Sequence, residues 1–119
     1  MQTNLYLYQN KPSFGANVSK NFVKAAHNYY NGVEYRPYRS KVFDEKVKQV
    51  VKCFGYNEFT LKCHRTKTKG KTVYNLVADN GLYEVPIAAK DQFRKVIEKF
   101  MRLTRDELYI KIEDFRNAH

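Results

Sequence analysis

Six basic side chains in one short segment are the residues of this sequence whose types and spacing are best suited to chemistry. They lie between positions 62 and 71, interleaved with threonines, and the twenty residues of Phe59–Ala78 contain no Asp or Glu. Lys and Arg neutralise phosphate charge, and threonine hydroxyls donate hydrogen bonds to phosphate oxygens. The segment therefore predicts a polyanion-binding surface formed by Lys62, His64, Arg65, Lys67, Lys69 and Lys71. Neutralising about five phosphates would make log K fall with log salt at a slope of about −4.5 on duplex DNA.

Arginines and tyrosines elsewhere in the chain extend this surface. Tyr74 follows the basic segment, and Tyr35 and Tyr38 stand among two arginines, Arg36 and Arg39. Stacking of a base on an aromatic ring contributes ~1–3 kcal/mol in single-strand complexes. We expect most of the ten tyrosines to pack at the edge of the core with the hydroxyl in water, and these three to be the stacking candidates. A further extension of the basic surface lies on the last predicted helix, at Lys95, Lys99 and Arg102.

Lysines at a hairpin tip have a second interpretation, because they also keep a protein soluble and protect a sheet edge. The distribution of charge favours binding. Of the net charge of +10, residues 35–76 contribute +8, from eleven Lys or Arg and three acids. Such a concentration of positive charge is typical of proteins that bind nucleic acid, and it would also attract an acidic protein surface.

Known catalytic and metal-binding motifs do not fit the chain. Gly70-Lys71-Thr72 resembles the end of a P-loop, but position 65 holds arginine where that motif requires glycine. Cys53 and Cys63 are ten residues apart, unlike the close pairs of zinc ligands, so we predict a buried Cys53, a core-facing Cys63 and no metal. Lys62, His64 and Arg65 are the residue types that a small metal-independent ribonuclease needs. We predict no enzymatic activity and no cofactor, and keep the ribonuclease as a third hypothesis.

Length and composition predict one globular domain over residues 1–119. The chain is 43% apolar and 15% aromatic, which is enough to form a core. Its apolar runs are far shorter than the ~20 residues of a membrane-spanning helix, and the start lacks the pattern of a secretory signal. Two cysteines are too few for a disulfide framework, which favours a cytoplasmic, reducing environment. The abundance of Lys, Asn, Tyr and Phe indicates an AT-rich genome, such as that of a low-GC bacterium or of a bacteriophage whose protein acts in the host cell.

Periodicity and breaker residues predict the elements that position these side chains. A strand is expected at 4–9, a loop at 11–15, a helix at 20–31 capped by Ser19, and an edge or loop at 33–39. A second helix, at about 41–54, would begin at Ser40 and end at Gly55. Three strands follow at about 58–66, 71–78 and 82–87, with a tight turn at Asp79-Asn80-Gly81, and a further helix at about 89–103.

The C-terminal segment, residues 105–116, fits two structures. Thr104 and Glu107 have the spacing of a capping box, which favours a helix. Leu108, Ile110 and Ile112 alternate as in a strand. The β-branched and aromatic content of the segment favours the strand.

Together these elements predict an α+β fold. A three-stranded antiparallel meander at about 58–87 would pack against the helices at about 41–54 and 89–103, with an N-terminal strand and helix added. The α-β-β-β-α order of residues 41–103 is also the order of double-stranded-RNA-binding domains. The last helix opens with Ala88-Ala89-Lys90-Asp91 in place of their Lys-Lys-x-Ala-Lys run, so no family is assigned.

The function that these observations favour is sequence-tolerant binding of DNA or RNA, with a regulatory role in transcription, replication or translation. The surface would be centred on Lys62–Tyr74 and would act by neutralising phosphates, with tyrosine stacking on a single-stranded ligand. The alternative is a small protein–protein modulator, such as a phage-encoded inhibitor or adaptor, that docks on an acidic protein partner. No membrane partner is expected.

Overall fold

The computed structural model describes residues 15–118, in which the chain forms a four-stranded mixed sheet and four α-helices. The strand expected at residues 4–9 lies outside this range. The strands are β1 Gly15–Val18, β2 Gly55–Thr68, β3 Lys71–Asp79 and β4 Glu84–Lys90. The helices are α1 Lys20–Asn28, α2 Pro37–Cys53, α3 Phe93–Arg102 and α4 Arg105–Ala118, and a π-helical turn, Tyr29–Val33, follows α1. The predicted α+β class is confirmed.

The sheet is the predicted meander with one strand added. Its order is β1-β2-β3-β4, with β2, β3 and β4 antiparallel and β1 parallel to β2. The added strand, β1, begins where a loop was expected. It is only four residues long, so it shows too little alternation to be recognised from sequence. Its position depends on residues far away in the sequence, because it pairs with β2 and the Ser19 N–H just after it donates to Leu61 O at 2.9 Å.

One face of the sheet carries the core. Phe59 and Leu61 of β2 alternate with polar residues and are fully buried. On β3, Ala78 pairs with Leu61 and Leu76 pairs with Cys63, and both β3 residues are fully buried as well. The helices supply a cluster of aromatic rings in which Phe22 meets Phe43 and Phe100 at centroid distances of 5.7 and 5.2 Å. Edge-to-face pairs at such distances stabilise a core beyond the apolar area they bury. The other face carries the polar residues of the same strands, including Lys62, His64 and Asn75.

Helix α2 begins three residues before the predicted cap. Pro37 occupies its first turn, where the fixed φ of proline suits a helix and its missing N–H is not needed. Ser40 is therefore inside the helix, buried, and its hydroxyl donates to Asn31 Oδ1 at 3.1 Å. The expectation of an edge or loop up to Arg39 was wrong at this boundary. The other end was predicted correctly, since Gly55 follows α2 with a φ of +70°.

The C-terminal segment is a helix, α4, and the favoured strand was wrong. Thr104 caps it, with Glu107 N–H donating to Thr104 Oγ1 at 3.1 Å. Leu108 and Ile112 are fully buried and lie one turn apart, whereas Ile110 between them is exposed. Burial of one helical face therefore outweighs the alternation that indicated a strand.

The predicted burial of the two cysteines was right for one and wrong for the other. Cys63 packs against the core as expected, and burial raises the pKa of its thiol to about 11. Cys53 is exposed at the end of α2, so its expected burial was wrong. Cys53 lies three residues after the buried Val50, and this helical spacing predicted burial. The helix ends at Cys53, however, and no other element of the described chain covers its side chain.

Candidate nucleic-acid interface

The basic segment forms the end of a long β-hairpin. Strands β2 and β3 pair from Thr60↔Asp79 out to Thr68↔Lys71, and every residue from Arg65 to Lys71 is exposed. The two turn residues, Lys69 and Gly70, have φ values of +52° and +78°. Two residues with positive φ define a type I′ turn, whose twist matches that of the flanking strands. The hairpin thus extends past the core and presents its end to solvent.

Four cations at this end have no acidic partner within residues 15–118. Arg65 and Lys67 lie on the helix-bearing face of the hairpin, Lys71 on the opposite face, and Lys69 in the turn. Their charges repel one another, and in water this costs little because the groups are fully solvated. A surface of this kind can bind anions without first breaking ion pairs.

Lys62 and His64 were predicted to belong to the same surface, but the fold surrounds them with carboxylates. Lys62 Nζ lies 2.5 Å from Asp79 Oδ2 and 3.5 Å from Glu84 Oε2, and His64 Nε2 lies 2.6 Å from Glu84 Oε2. The hydrogen bond to Asp79 raises the pKa of Lys62, and the same bond lowers the pKa of Asp79. Both acids follow the acid-free segment in sequence, so only strand pairing shows that they neutralise its first residues.

Tyr74 is placed between two cations. It pairs with Arg65 on β2 and with Lys90 on β4, so the three residues form a row across the sheet. Its ring is half-buried and packs against Phe93 at a centroid distance of 5.9 Å. Lys90 was not among the predicted residues, because the last strand was expected to end at residue 87. The one signal in the sequence was that Lys90 lies three residues after the predicted end of this strand, within reach if the strand continued.

A shallow groove opens beside this row. It has a volume of about 290 Å³ and lies between the start of α1 and the hairpin, lined by Asn21, Phe22, Ala25, Cys63, Arg65, Tyr74 and Phe93. The aromatic edges at its base and Arg65 at its rim are the combination that binds a base or sugar next to a phosphate. Since Phe93 covers part of the Tyr74 ring, stacking there is restricted to the part that faces the groove.

The remaining predicted residues lie elsewhere, at the start of α2 and on α3. Arg36 and Arg39 share one carboxylate, Glu34, at 3.9 and 3.7 Å. Arg39 and Arg102 line a second groove with Tyr38. The other two helix residues are paired, Lys95 with Asp91 at 2.9 Å and Lys99 with Glu107. The structure thus brings Arg39 and Arg102 together but gives them no described contact with the hairpin.

The residues proposed for catalysis do not converge on one side of the sheet. Lys62 and His64 share a face, as expected from strand alternation, and Arg65 points to the other. No cluster of three or more His, Cys, Asp or Glu suited to a metal ion occurs among residues 15–118. Over the same residues, no helix is both long and apolar enough to cross a membrane.

The chain matches no protein-family model, and neither a curated protein nor a solved structure is significantly similar to it. The functional argument therefore depends on the chain's own residues.

Proposed function

We propose that the protein binds nucleic acid, without catalysing a reaction, through the exposed end of the β2–β3 hairpin. The observation that supports this most is the cluster of four cations, Arg65, Lys67, Lys69 and Lys71, none of which has an acidic partner in residues 15–118. Elsewhere on the described chain several arginines and lysines are bound by carboxylates, as Arg94 is by Glu98 at 2.6 Å. The cations of the hairpin end are available to phosphates instead.

The shape of the hairpin favours a duplex. A two-stranded β-ribbon fits the major groove of B-form DNA, which is about 12 Å wide. Arg65 and Lys67 project from one face of the ribbon and Lys71 from the other, so the ribbon carries positive charge toward both phosphate backbones that border a groove. A single strand would use only one of these faces at a time.

The side chains available at the hairpin end favour binding that tolerates different sequences. Lysine and threonine contact phosphate oxygens, which are the same at every base pair. Thr66 is occupied within the hairpin by a hydrogen bond from Asn75 Nδ2 at 3.2 Å, which fixes strand register rather than reading bases. Of the four cations, Arg65 is the one whose planar, forked guanidinium suits bidentate contact with guanine. Affinity is therefore expected to depend on charge and on duplex form more than on sequence.

Fluorescence anisotropy with labelled duplex DNA, duplex RNA and single-stranded DNA tests the proposal. The hairpin variant replaces Lys67, Lys69 and Lys71 with alanine. A control variant with the same net charge replaces three exposed lysines of α2 and α4 that lack an ion pair in the described chain: Lys41, Lys52 and Lys111. We expect the hairpin variant to lose binding to duplex DNA and the control to retain most of it. Equal losses in the two variants, or no binding by the wild type at low salt, would refute the proposal.

A further inference from the structure

A cluster of exposed apolar side chains lies near the start of α2, away from the basic hairpin in the sequence. Four of the seven large apolar side chains that are exposed in residues 15–118 fall between positions 33 and 42: Val33, Tyr35, Tyr38 and Val42. Tyr38 and Val42, exposed by 59% and 52%, are one helical turn apart and so lie on the same side of α2. Exposed apolar side chains that lie side by side, as Tyr38 and Val42 do, are typical of an interaction site.

These two side chains line a groove between α2 and α3. Its volume is about 340 Å³, and its lining combines Tyr38, Arg39 and Val42 of α2 with Glu98, Met101 and Arg102 of α3, above the mostly buried Tyr30. A groove between two helices with apolar walls is the shape that accepts an amphipathic segment of another chain. Tyrosine and arginine, which stand together at its edge, are among the residues that contribute most to binding energy at protein interfaces.

Guanidinium groups at and beside the groove outnumber the carboxylates that could pair with them. Arg36 and Arg39 share the single carboxylate of Glu34, and their distances to it, 3.9 and 3.7 Å, are longer than hydrogen bonds. Arg102 has no ion pair within the described chain, and Glu98 is already bound by Arg94 at 2.6 Å. Arg39 uses its Nε for its contacts with Glu34 and the Tyr38 hydroxyl, so its two terminal nitrogens and the Arg102 guanidinium are available to a carboxylate.

We propose that the α2–α3 groove docks an acidic protein segment that carries an apolar side chain. The apolar side chain would lie against Tyr38, Val42 and Met101, and carboxylates of the segment would bind Arg39 and Arg102. A protein segment fits better than a nucleic acid because Val42 and Met101 offer no ring for a base to stack on. Arg39 already contacts Tyr38, since its Nε donates to the hydroxyl at 3.4 Å and its guanidinium carbon lies 6.0 Å from the ring centroid, so a stacking base would compete with Arg39 for that ring.

Charge also argues against two other occupants. A second copy of this chain would bring a net charge of +10 to a positively charged rim. Residues 1–14 contain Lys11 and no Asp or Glu, so they do not complement the rim either. The docking site does not depend on the proposed nucleic-acid binding, because it shares no residue with the hairpin.

A designed peptide provides the first arm of the test. The probe is a peptide of about 16 residues made of glutamate and leucine, with leucine at i, i+3, i+4 and i+7, and its partner has lysine in place of glutamate. Titration of the full-length protein in about 150 mM salt, where long-range charge effects are screened, is followed by amide chemical shifts. We expect the acidic peptide to bind, with shifts concentrated in α2 and α3, and the lysine peptide not to bind. Absence of binding by the acidic peptide, or shifts centred on the hairpin, would overturn the proposal.

Matched variants provide the second arm. Tyr38→Ser with Val42→Ser should weaken acidic-peptide binding by about tenfold or more, because it removes the apolar contact. Tyr109→Ser with Ile110→Ser removes two side chains of similar exposure, 55% each, from α4 and should leave binding unchanged. Equal weakening by both pairs would overturn the proposal. So would loss of single-stranded DNA binding or of self-association in the Tyr38 and Val42 variant, since either result would assign the groove to a different occupant.

Discussion

The salt dependence of DNA binding distinguishes the cations that reach phosphates from those that the fold has neutralised. The basic segment contains five Lys or Arg, each of which the sequence predicts to be available to phosphate. In the structure one of them, Lys62, is neutralised, because its ammonium lies 2.5 Å from Asp79. The informative perturbation is the double variant Lys62→Ala with Asp79→Asn. It deletes the ion pair and keeps the net charge of the protein constant. Its counterpart is the single variant Lys67→Ala, which deletes a cation without an acidic partner on the described chain.

The expected magnitudes follow from the number of phosphates contacted. Four contacts give a slope of log K against log salt of about −3.6, so affinity falls ~150-fold between about 50 and 200 mM salt. Five contacts would give about −4.5 and a fall of ~500-fold. Lys67→Ala should reduce the slope to about −2.7 because one contact is lost. The Lys62 and Asp79 double variant should keep the wild-type slope.

Anisotropy titrations of one duplex DNA at several salt concentrations measure these slopes. A reduced slope in the Lys62 and Asp79 double variant would show that Lys62 contacts DNA despite its ion pair, and the neutralisation argument would be wrong. An unchanged slope in Lys67→Ala would remove the hairpin end from the interface. The comparison uses slopes, so it is insensitive to a uniform loss of active protein.

Three further predictions concern the folded chain. Ellman's reagent at about pH 8 should modify Cys53 quickly in the native protein and Cys63 only after denaturation, because Cys53 is exposed whereas burial raises the pKa of Cys63 to about 11. A Cys53→Ser variant that still reacts quickly would contradict this. The pKa of Asp79 is lowered chiefly by its hydrogen bond with Lys62, so its contribution to stability is present above the unfolded pKa of about 3.9 and is lost as pH falls below it. Urea denaturation should therefore show Asp79→Asn less stable than the wild type by about 1 kcal/mol at pH 6, with the difference shrinking toward pH 3 and a constant difference refuting the argument. Thr104→Ala should lower the free energy of unfolding by about 1 kcal/mol through loss of the α4 cap, whereas Thr104→Ser should restore most of it.

The two proposals together assign two separate binding surfaces to the protein. The hairpin surface is polar, projecting and rich in lysine, which suits a phosphate backbone. The groove between α2 and α3 is partly apolar and edged with arginine, which suits a protein segment. If both proposals hold, the protein would tether an acidic partner to DNA, and the hairpin and groove variants test the two surfaces separately.

Local sequence determined most of the elements, because their signals need only neighbouring residues. The helical spacing of five apolar residues, Phe43, Val47, Val50, Val51 and Phe54, predicted α2. Ser19 was correctly predicted to cap α1, and Phe22 N–H donates to its hydroxyl at 3.4 Å. The turn at residues 79–81 also formed, and Gly81 N–H donates to Asp79 Oδ1 at 2.8 Å. Charge type and exposure at a hairpin end follow from the same kind of local pattern.

Tertiary structure decided what those patterns left open. In α4 the cap and the alternating residues predicted different structures, and burial of Leu108 and Ile112 in the shared core selected the helix. Lys62 and Lys67 look equivalent in the sequence, yet strand pairing brings Asp79 to one and no acid of the described chain to the other. The groove beside Val42 needs α2 and α3, which are separated by 39 residues of chain, to pack side by side. Such contacts join distant positions, and no local window of sequence contains both partners.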